Sequence, residues 1–331
     1  MYPVANAERN RFILDRRGPQ KRHDPWRYQD LVVEDELTSS RGLAPTATVF
    51  LTGKECPWRC VMCDLWQYTT AENTPRGAIP AQIDGARRVL EMQGRAVSQM
   101  KLYNASNFFD PHAVPPEDYG TIAAALADLD LAVVESHPAL IGEQVDRFLD
   151  ALGSSKGHHT PMLEVAMGLE TANPAALELL NKGVTIEQFA AAAEALRNRG
   201  VALRVFVLIS PPFIAASEQE RWLLDSIECA GSCGAAVISL IPTRAGNGAM
   251  EALAADGLYR PPTLTDIERS FDLALGCAQR TRVFVDVWDL ERFSHCRHCF
   301  NARKQRLQTM NLTQQSTARI VCVHCDDGLS A

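Results

Sequence analysis

Short apolar runs rich in β-branched residues recur along the chain and alternate with longer amphipathic stretches. Such runs, when bounded by turn residues, are typical of β-strands, whereas apolar residues at a spacing of three and four are typical of helices. The runs predict strands over residues 47–52, 98–103, 131–135, 163–168, 202–209, 236–241 and 283–288. The stretches between them predict helices over residues 79–93, 116–129, 186–198, 217–229 and 264–277.

Strands that alternate with helices imply a parallel sheet with right-handed crossovers, so the predicted fold class is α/β. We expect three parts: a basic, irregular N-terminal extension over residues 1–45, a core over residues 46–290 and a cysteine-rich C-terminal segment over residues 291–331. In parallel β/α architectures the functional site lies at the C-terminal ends of the strands. Polar residues just past each strand are therefore the candidates for function.

Composition and charge narrow the class of protein. The 331 residues are 46% hydrophobic and 22% charged, as in ordinary globular proteins. No apolar run is long enough to span a membrane, and the first residues lack the apolar core of a secretory signal, so we expect no membrane partner. Seven of the ten cysteines stand in close sets, which favours metal ligation in a reducing cytoplasm.

The net charge of −7 argues against a protein that coats nucleic acid non-specifically, yet cations are concentrated near both ends of the chain. Residues 9–27 hold seven cations against Asp15 and Asp24 only. A second basic stretch, with no acid among residues 297–324, holds Arg297, Arg303, Lys304, Arg306 and Arg319. These stretches would either hold an anionic polymer or be solvated termini.

Three cysteines, Cys56, Cys60 and Cys63, follow the first predicted strand at C-x3-C-x2-C spacing. Three thiolates can hold three irons of a [4Fe–4S] cluster and leave the fourth iron open to a small molecule. The alternative is a zinc loop that a distant residue completes to four ligands. The absence of a local fourth ligand favours the cluster.

This spacing resembles the signature of the radical SAM superfamily, in which S-adenosylmethionine (SAM) binds the open iron. The resemblance implies a partial (β/α)6 TIM-like barrel of radical SAM type with a small metal-binding extension. It also implies reductive cleavage of SAM to a 5′-deoxyadenosyl radical that abstracts hydrogen from a substrate, and an electron donor of the flavodoxin or ferredoxin type. The segment after the second strand departs from the Gly-Gly-Glu-like turn usual in the superfamily, because Asn104 and Ser106 stand there instead.

Polar residues near the strand ends are candidates to bind SAM or substrate. Carbonyl or hydroxyl oxygens of Asn104 and Ser106 could accept bonds from the SAM ammonium, and so could the carboxylate of Glu135. Glu170 stands two residues after the small residue Gly168 and is expected to face the barrel mouth, and Arg204 inside an apolar run requires a carboxylate or ligand. The predicted cofactor-binding residues are therefore Asn104, Ser106, Glu135, Glu170 and Arg204.

Four further segments sharpen the resemblance: Gly168-Leu-Glu-Thr-Ala-Asn, Asn181-Lys-Gly, Ser210-Pro-Pro-Phe and Tyr259-Arg-Pro-Pro. They resemble the branch that includes the radical SAM subunit of archaeosine synthase and, more distantly, the Elongator radical domain. This implies modification of an RNA base or its precursor, with tRNA and a partner enzyme subunit as expected partners. Two alternatives stay open, namely the same chemistry on a small molecule or peptide, and a non-catalytic metal-bound RNA-binding adaptor.

A second cysteine set, Cys296, Cys299, Cys322 and Cys325, has the spacing C-x2-C-x22-C-x2-C. Two such pairs usually hold one tetrahedral zinc, although four thiolates could equally hold a second [4Fe–4S] cluster. The segment between them, residues 300–312, predicts a basic amphipathic helix. That helix would suit RNA contact or would close the barrel mouth.

Overall fold

Eight strands form a single sheet whose order in space follows their order in the chain. The computed structural model describes residues 1–40, 42–104, 106–155, 160–278 and 281–325, apart from the side chain of Asn104. The strands are β1 (Asp30–Leu37), β2 (Leu43–Leu51), β3 (Gln99–Asn104), β4 (Leu131–Glu135), β5 (Met162–Glu170), β6 (Ala202–Ile209), β7 (Val237–Pro242) and β8 (Arg282–Val285). Strands β2 to β8 are parallel neighbours, whereas β1 runs antiparallel to β2.

The helices of the described residues connect these strands and flank the sheet. They are α1 (Asn6–Leu14), α2 (Ala78–Met92), α3 (Tyr119–Leu126), α4 (Glu143–Ser154), α5 (Pro174–Leu179), α6 (Ile186–Asn198), α7 (Gln219–Ser232), α8 (Ala249–Ala255), α9 (Leu264–Cys277) and α10 (Arg297–Thr313). In the described residues, no helix has both the length and the apolar content needed to cross a membrane.

The α/β class and the partial barrel are confirmed. All seven predicted strands are present, as β2 to β8, and β6 has its predicted bounds. Helices α6 and α9 also have their predicted bounds, because each begins with a capping box. The hydroxyl of the N-cap threonine accepts a hydrogen bond from the backbone N–H of the third helical residue, and the side chain of that residue accepts one from the backbone N–H of the threonine. The C-terminal segment forms α10 and its flanking loops, while residues 326–331 lie outside the described part.

The prediction of an irregular N-terminal extension is wrong, because residues 1–45 contain α1 and β1. Strand β1 lacks the apolar pattern of a strand because Glu34 and Glu36 occupy alternate positions along it. Glu36 forms ion pairs with Lys101 on β3 and Arg204 on β6, so its charge is matched inside the barrel by strands distant in the chain.

The two edges of the sheet approach each other at β1 and β8. The Arg282 guanidinium donates a 2.7 Å hydrogen bond to the backbone oxygen of Leu37, and Leu37 packs against Phe284 and Val237. Helix α10 packs against both edge strands, where Asn311 accepts a hydrogen bond from the backbone of Val285. The strand ladder leaves the barrel open between β1 and β8, and α10 covers this open side.

Candidate metal centres and the strand ends around them

The loop that carries Cys56, Cys60 and Cys63 follows the C-terminal end of β2. Burial raises the pKa of all three thiols, and that of Cys63 reaches about 12. The three sulfurs are close enough to act on one another, since the pKa of Cys60 is raised further by Cys63 and Cys56. Buried thiols of this kind become thiolates when a bound cation compensates their charge.

Two asparagines from distant loops hold the cysteine loop through its backbone. The Asn181 amide donates a 2.7 Å hydrogen bond to the carbonyl of Arg59, and Asn247 donates one of 2.7 Å to the carbonyl of Val61. The backbone N–H of Val61 in turn donates to the carbonyl of Leu180. The conformation of the loop is thus fixed by the segments that follow β5 and β7.

A third asparagine, Asn107, reaches a cysteine sulfur directly. Its Nδ2 lies 3.3 Å from the Sγ of Cys56, and its Oδ1 accepts a 2.8 Å bond from the backbone N–H of His137. The His137 ring stacks on Trp58 of the cysteine loop, with ring centroids 3.7 Å apart. Burial and the nearby Lys182 ammonium lower the pKa of His137 to about 3, so the ring is neutral and supports the loop.

A buried ion pair between Glu170 and Lys182 lies beside the same cysteines. Lys182 Nζ is 2.6 Å from Glu170 Oε1, and the two side chains are only 10% and 8% exposed. Burial alone would lower the pKa of Lys182, but Glu170 and the thiol of Cys60 raise it above its usual value, so the ammonium stays charged. Gly168 makes room for the pair, since a Cβ there would lie 2.0 Å from Glu170 Oε1.

The other predicted strand-end residues share this edge of the sheet. Asn104 ends β3 and Glu135 ends β4, and the carbonyl of Glu135 accepts a hydrogen bond from Phe108. The side chain of Asn104 lies outside the described part. The hydroxyl of Ser106 is buried and has no hydrogen-bond partner among the described residues. Four of the five predicted cofactor-binding residues therefore lie at the C-terminal ends of β3, β4 and β5, at the same edge of the sheet as the cysteine loop.

Arg204 is the exception, and its placement corrects the prediction that it binds SAM or substrate. It lies near the start of β6, where its guanidinium forms ion pairs with Glu164, at 2.6 Å, and with Glu36. Glu36 also pairs with Lys101, and all four side chains are buried. We refer to Glu36, Lys101, Glu164 and Arg204 as the barrel floor. The floor lies at the starts of β3, β5 and β6 and, because β1 is antiparallel, at the end of β1, so Arg204 neutralises carboxylates at the edge opposite the cysteine loop.

Several residues of the site were not predicted as functional. Asn181 and Asn247 hold the cysteine loop through its backbone, and Lys182 lies beside its cysteines, paired with Glu170. Asn247 stands in the loop that follows β7, so the strand-end rule would also have selected it, whereas Asn181 and Lys182 come only after α5 and escape that rule. A sequence gives no distance between such loops, and their convergence on one cysteine loop is visible only in the fold.

The four C-terminal cysteines come together in one compact group, as predicted. Their Sγ atoms all lie within 4.8 Å of one another, with Cys296 3.9 Å from Cys322 and Cys299 3.7 Å from Cys325. Four thiolates about 2.3 Å from one tetrahedral ion stand about 3.8 Å apart. Backbone N–H groups of Cys299 and His298 lower the pKa of Cys296 to about 7, which favours its thiolate. The group therefore has the dimensions of a site for a single ion.

The predicted basic helix is present as α10, but two of its three arginines point into the protein, whereas Arg297 is exposed. Arg303 pairs with Glu268 at 2.6 Å and Arg306 with Asp272 at 2.7 Å, and both arginines are buried. The carboxylates come from α9, which the sequence around the cysteines does not show. Of the two alternatives for this helix, burial excludes RNA contact through Arg303 and Arg306, and α10 covers the side of the barrel.

Comparisons with known proteins support the resemblance. No protein-family model matches this chain. An uncharacterized protein of Methanocaldococcus jannaschii is 25% identical over 317 residues, which is 89% of this chain and 83% of that protein. Archaeosine synthase subunit beta of Methanosarcina acetivorans is 27% identical over 294 residues, or 84% of this chain and 82% of that one. Among solved structures, Elp3 of Methanocaldococcus infernus has a TM-score of 0.48 at 11% identity, covering 63% of this chain and 52% of that one. The predicted resemblance to the archaeosine synthase subunit is thereby confirmed.

Proposed function

We propose that this chain is a radical SAM enzyme in which Cys56, Cys60 and Cys63 hold a [4Fe–4S] cluster. The observation that carries the proposal is the cysteine loop itself, which three asparagines fix at the C-terminal edge of a parallel sheet. A loop held in this way keeps its three sulfurs in place before a cluster binds, which lowers the cost of binding. When bound with SAM, such a cluster supplies the electron that cleaves SAM to a 5′-deoxyadenosyl radical.

The residues around the loop fit a bound cluster and a small zwitterionic ligand. Asn107 donates to the sulfur of Cys56, and such hydrogen bonds to cluster thiolates raise the reduction potential. The Lys182 ammonium offsets part of the negative charge that three thiolates bring into a buried place. The buried hydroxyl of Ser106 and the carboxylate of Glu135 are suited to accept hydrogen bonds from the SAM ammonium.

For the C-terminal cysteines we propose a structural zinc rather than a second cluster. Sulfur separations of 3.7 and 3.9 Å match one tetrahedral ion, whereas a four-iron cube is larger and needs its thiolates farther apart. The zinc would join the N-terminal end of α10 to the loop that follows the helix, and so hold the helix over the open side of the barrel.

For the substrate we propose a base in RNA, or its precursor, in a reducing cytoplasm. The similarity to a protein named as a subunit of archaeosine synthase supports this class and supports a partner subunit. A flavodoxin or ferredoxin would supply the electron. The same chemistry on a small molecule or peptide is the second candidate, and the net charge of −7 favours it.

Metal analysis combined with SAM cleavage tests this proposal. After anaerobic reconstitution with iron and sulfide, we expect about four irons and about one zinc per chain. With dithionite and SAM, the wild type should release 5′-deoxyadenosine and methionine. Cys60→Ser should lose the iron and the cleavage, whereas Cys277→Ser, at an exposed thiol on α9, should keep both. A folded wild type that binds zinc but no iron would exclude the enzyme, and about eight irons without zinc would exclude the zinc site.

A further inference from the structure

The segment of residues 15–29, called here the strap, lies directly against the chain that follows the three cysteines. The Gln20 amide donates to the carbonyl of Trp66 at 2.8 Å and to that of Thr69 at 3.0 Å. The ring of His23 donates to the carbonyl of Gln67 at 2.7 Å. These bonds place the strap along the short 3-10 helix Leu65–Tyr68, beside the cysteine loop.

Two cations in and before the strap hold it in place. Arg17 pairs with Glu55 at 2.6 Å, and Arg9 of α1 pairs with Glu178 at 3.3 Å, with both arginine side chains less than 10% exposed. Behind the strap the chain packs so closely on Gly248 that a Cβ there would lie 2.0 Å from the backbone oxygen of Arg16. The position of the strap is therefore determined by buried contacts.

The remaining cations of this region are on the surface. They are exposed side chains on one short stretch of an otherwise acidic chain: Arg11, Arg16, Lys21, Arg22 and Arg27. Arg27 has an acidic neighbour, Asp24, at 3.7 Å. This density of unburied positive charge contrasts with α10, whose Arg303 and Arg306 are neutralised inside the protein. Of the second basic stretch, Arg297 and Arg319 are also exposed, but its two central arginines are buried, so the first stretch presents more of its charge at the surface.

Half-exposed aromatic rings lie among these cations. Trp26 is 49% exposed on the strap, and Tyr68 is 46% exposed on the adjoining 3-10 helix. The ring of His23 lies 6.2 Å from that of Tyr68. Exposed rings next to cations are the combination that binds unpaired nucleotides, because the cations attract phosphates and the rings stack on bases.

We propose that the strap, together with Tyr68, is a docking surface for a single-stranded loop of RNA and brings it to the cysteine edge of the barrel. This inference rests on the proposed function, since it names where that RNA substrate would bind. An acidic electron-transfer protein would be attracted by the same charges. The half-exposed rings favour RNA, because stacking on a base uses the ring faces that a charge-steered redox encounter leaves unused.

Equilibrium binding without SAM or reductant tests the surface independently of catalysis. Fluorescence anisotropy with a labelled, unmodified tRNA transcript is measured at several salt concentrations, with a blunt RNA duplex as the second probe. For Lys21→Gln with Arg22→Gln we expect roughly tenfold weaker tRNA binding and a salt slope smaller by about 1.4, from ~0.7 per lost phosphate contact. The matched control, Arg197→Gln with Arg221→Gln, removes two exposed cations from the outer helices α6 and α7 and should change neither.

The aromatic part of the surface needs its own variants. Trp26→Ala and Tyr68→Ala should each weaken tRNA binding about tenfold at an unchanged salt slope, and should not affect the duplex, which offers no unstacked bases. Equal effects of the strap and control pairs would overturn the proposal, as would wild-type tRNA affinity in both aromatic variants. A strap pair that binds tRNA normally but is reduced more slowly by flavodoxin would assign the surface to the electron donor. Failure of the proposed function differs from these outcomes, because it shows as absent SAM cleavage in the wild type.

Discussion

Replacing Gly168 with alanine puts a methyl group where the Glu170–Lys182 ion pair lies. The new Cβ would be 2.0 Å from Glu170 Oε1 and 2.5 Å from Lys182 Nζ, far inside van der Waals contact. Both side chains have long, rotatable stems, but they are 8% and 10% exposed, so neither charged end has solvent to move into. The methyl group must therefore separate two opposite charges that stay buried.

The size of the effect follows from that separation. Breaking a buried ion pair costs about 3–5 kcal/mol, because each charge is left without its partner. Alanine also restricts the unfolded chain, which raises the free energy of unfolding by about 0.5–1 kcal/mol. We expect Gly168→Ala to lower the free energy of unfolding by about 2–4 kcal/mol and the melting temperature by roughly 5–10 °C.

Urea unfolding of the iron-free, zinc-loaded chain, followed by circular dichroism under reducing conditions, measures this change. Gly231→Ala is the matched control, since Gly231 lies in α7 with nothing within 4 Å of its Cβ position. That control should be stabilised by about 0.5–1 kcal/mol. A loss below about 1 kcal/mol for Gly168→Ala would refute the reasoning, since it would mean that the pair moves aside without cost.

Three further outcomes are expected. Arg303→Met should cost about 1.5–3 kcal/mol in urea unfolding, because the buried Glu268 carboxylate loses its two hydrogen bonds from Arg303 and keeps only the longer 3.6 Å pair with Arg306, and an unchanged stability would contradict that role. Burial would raise the pKa of Glu36, but Arg204 and Lys101 lower it to about 2; on the order of 3 kcal/mol of stability is therefore present above pH ~4.5 and is lost as the pH falls through 2. Glu36→Gln should flatten that acid limb of the stability curve, and a curve parallel to the wild type would count against it. Cys322→Ser should lower bound zinc by about one per chain and reduce the melting temperature, whereas retained zinc would exclude the four-cysteine site.

The parallel part of the sheet was predictable because each of its strands carries its own local signal. Strand β6 and helices α6 and α9 have apolar runs or caps that do not depend on distant residues. Strand β1 was missed because its signal is not local. Glu36 faces inward and is tolerated only because Lys101, 65 residues later, and Arg204, 168 residues later, meet it.

The candidate site was predictable in position but not in contacts. The C-terminal strand ends and the cysteine spacing located the edge at which Glu135, Glu170 and Ser106 lie. The rule that a buried arginine needs a carboxylate or a ligand was correct for Arg204. Strand register decides which of the two it meets, and here Arg204 lies opposite Ala166, so that Glu164, two residues earlier, reaches it diagonally. The arginines of α10 illustrate the same limit, since their partners lie on α9 rather than nearby in the sequence.

The barrel floor also affects how the chain is made. A ribosome releases Glu36 and Lys101 well before Arg204, so the early strands emerge with a carboxylate whose second partner does not yet exist. Glu164 likewise has its partner Arg204 only 40 residues later along the chain. Strands that pair in chain order can assemble one by one during synthesis, but burial of these acids becomes favourable only once β6 has emerged. The floor thus delays compaction of the nascent chain, and α10, which contacts β1 and β8, can pack against both strands only after β8 has emerged.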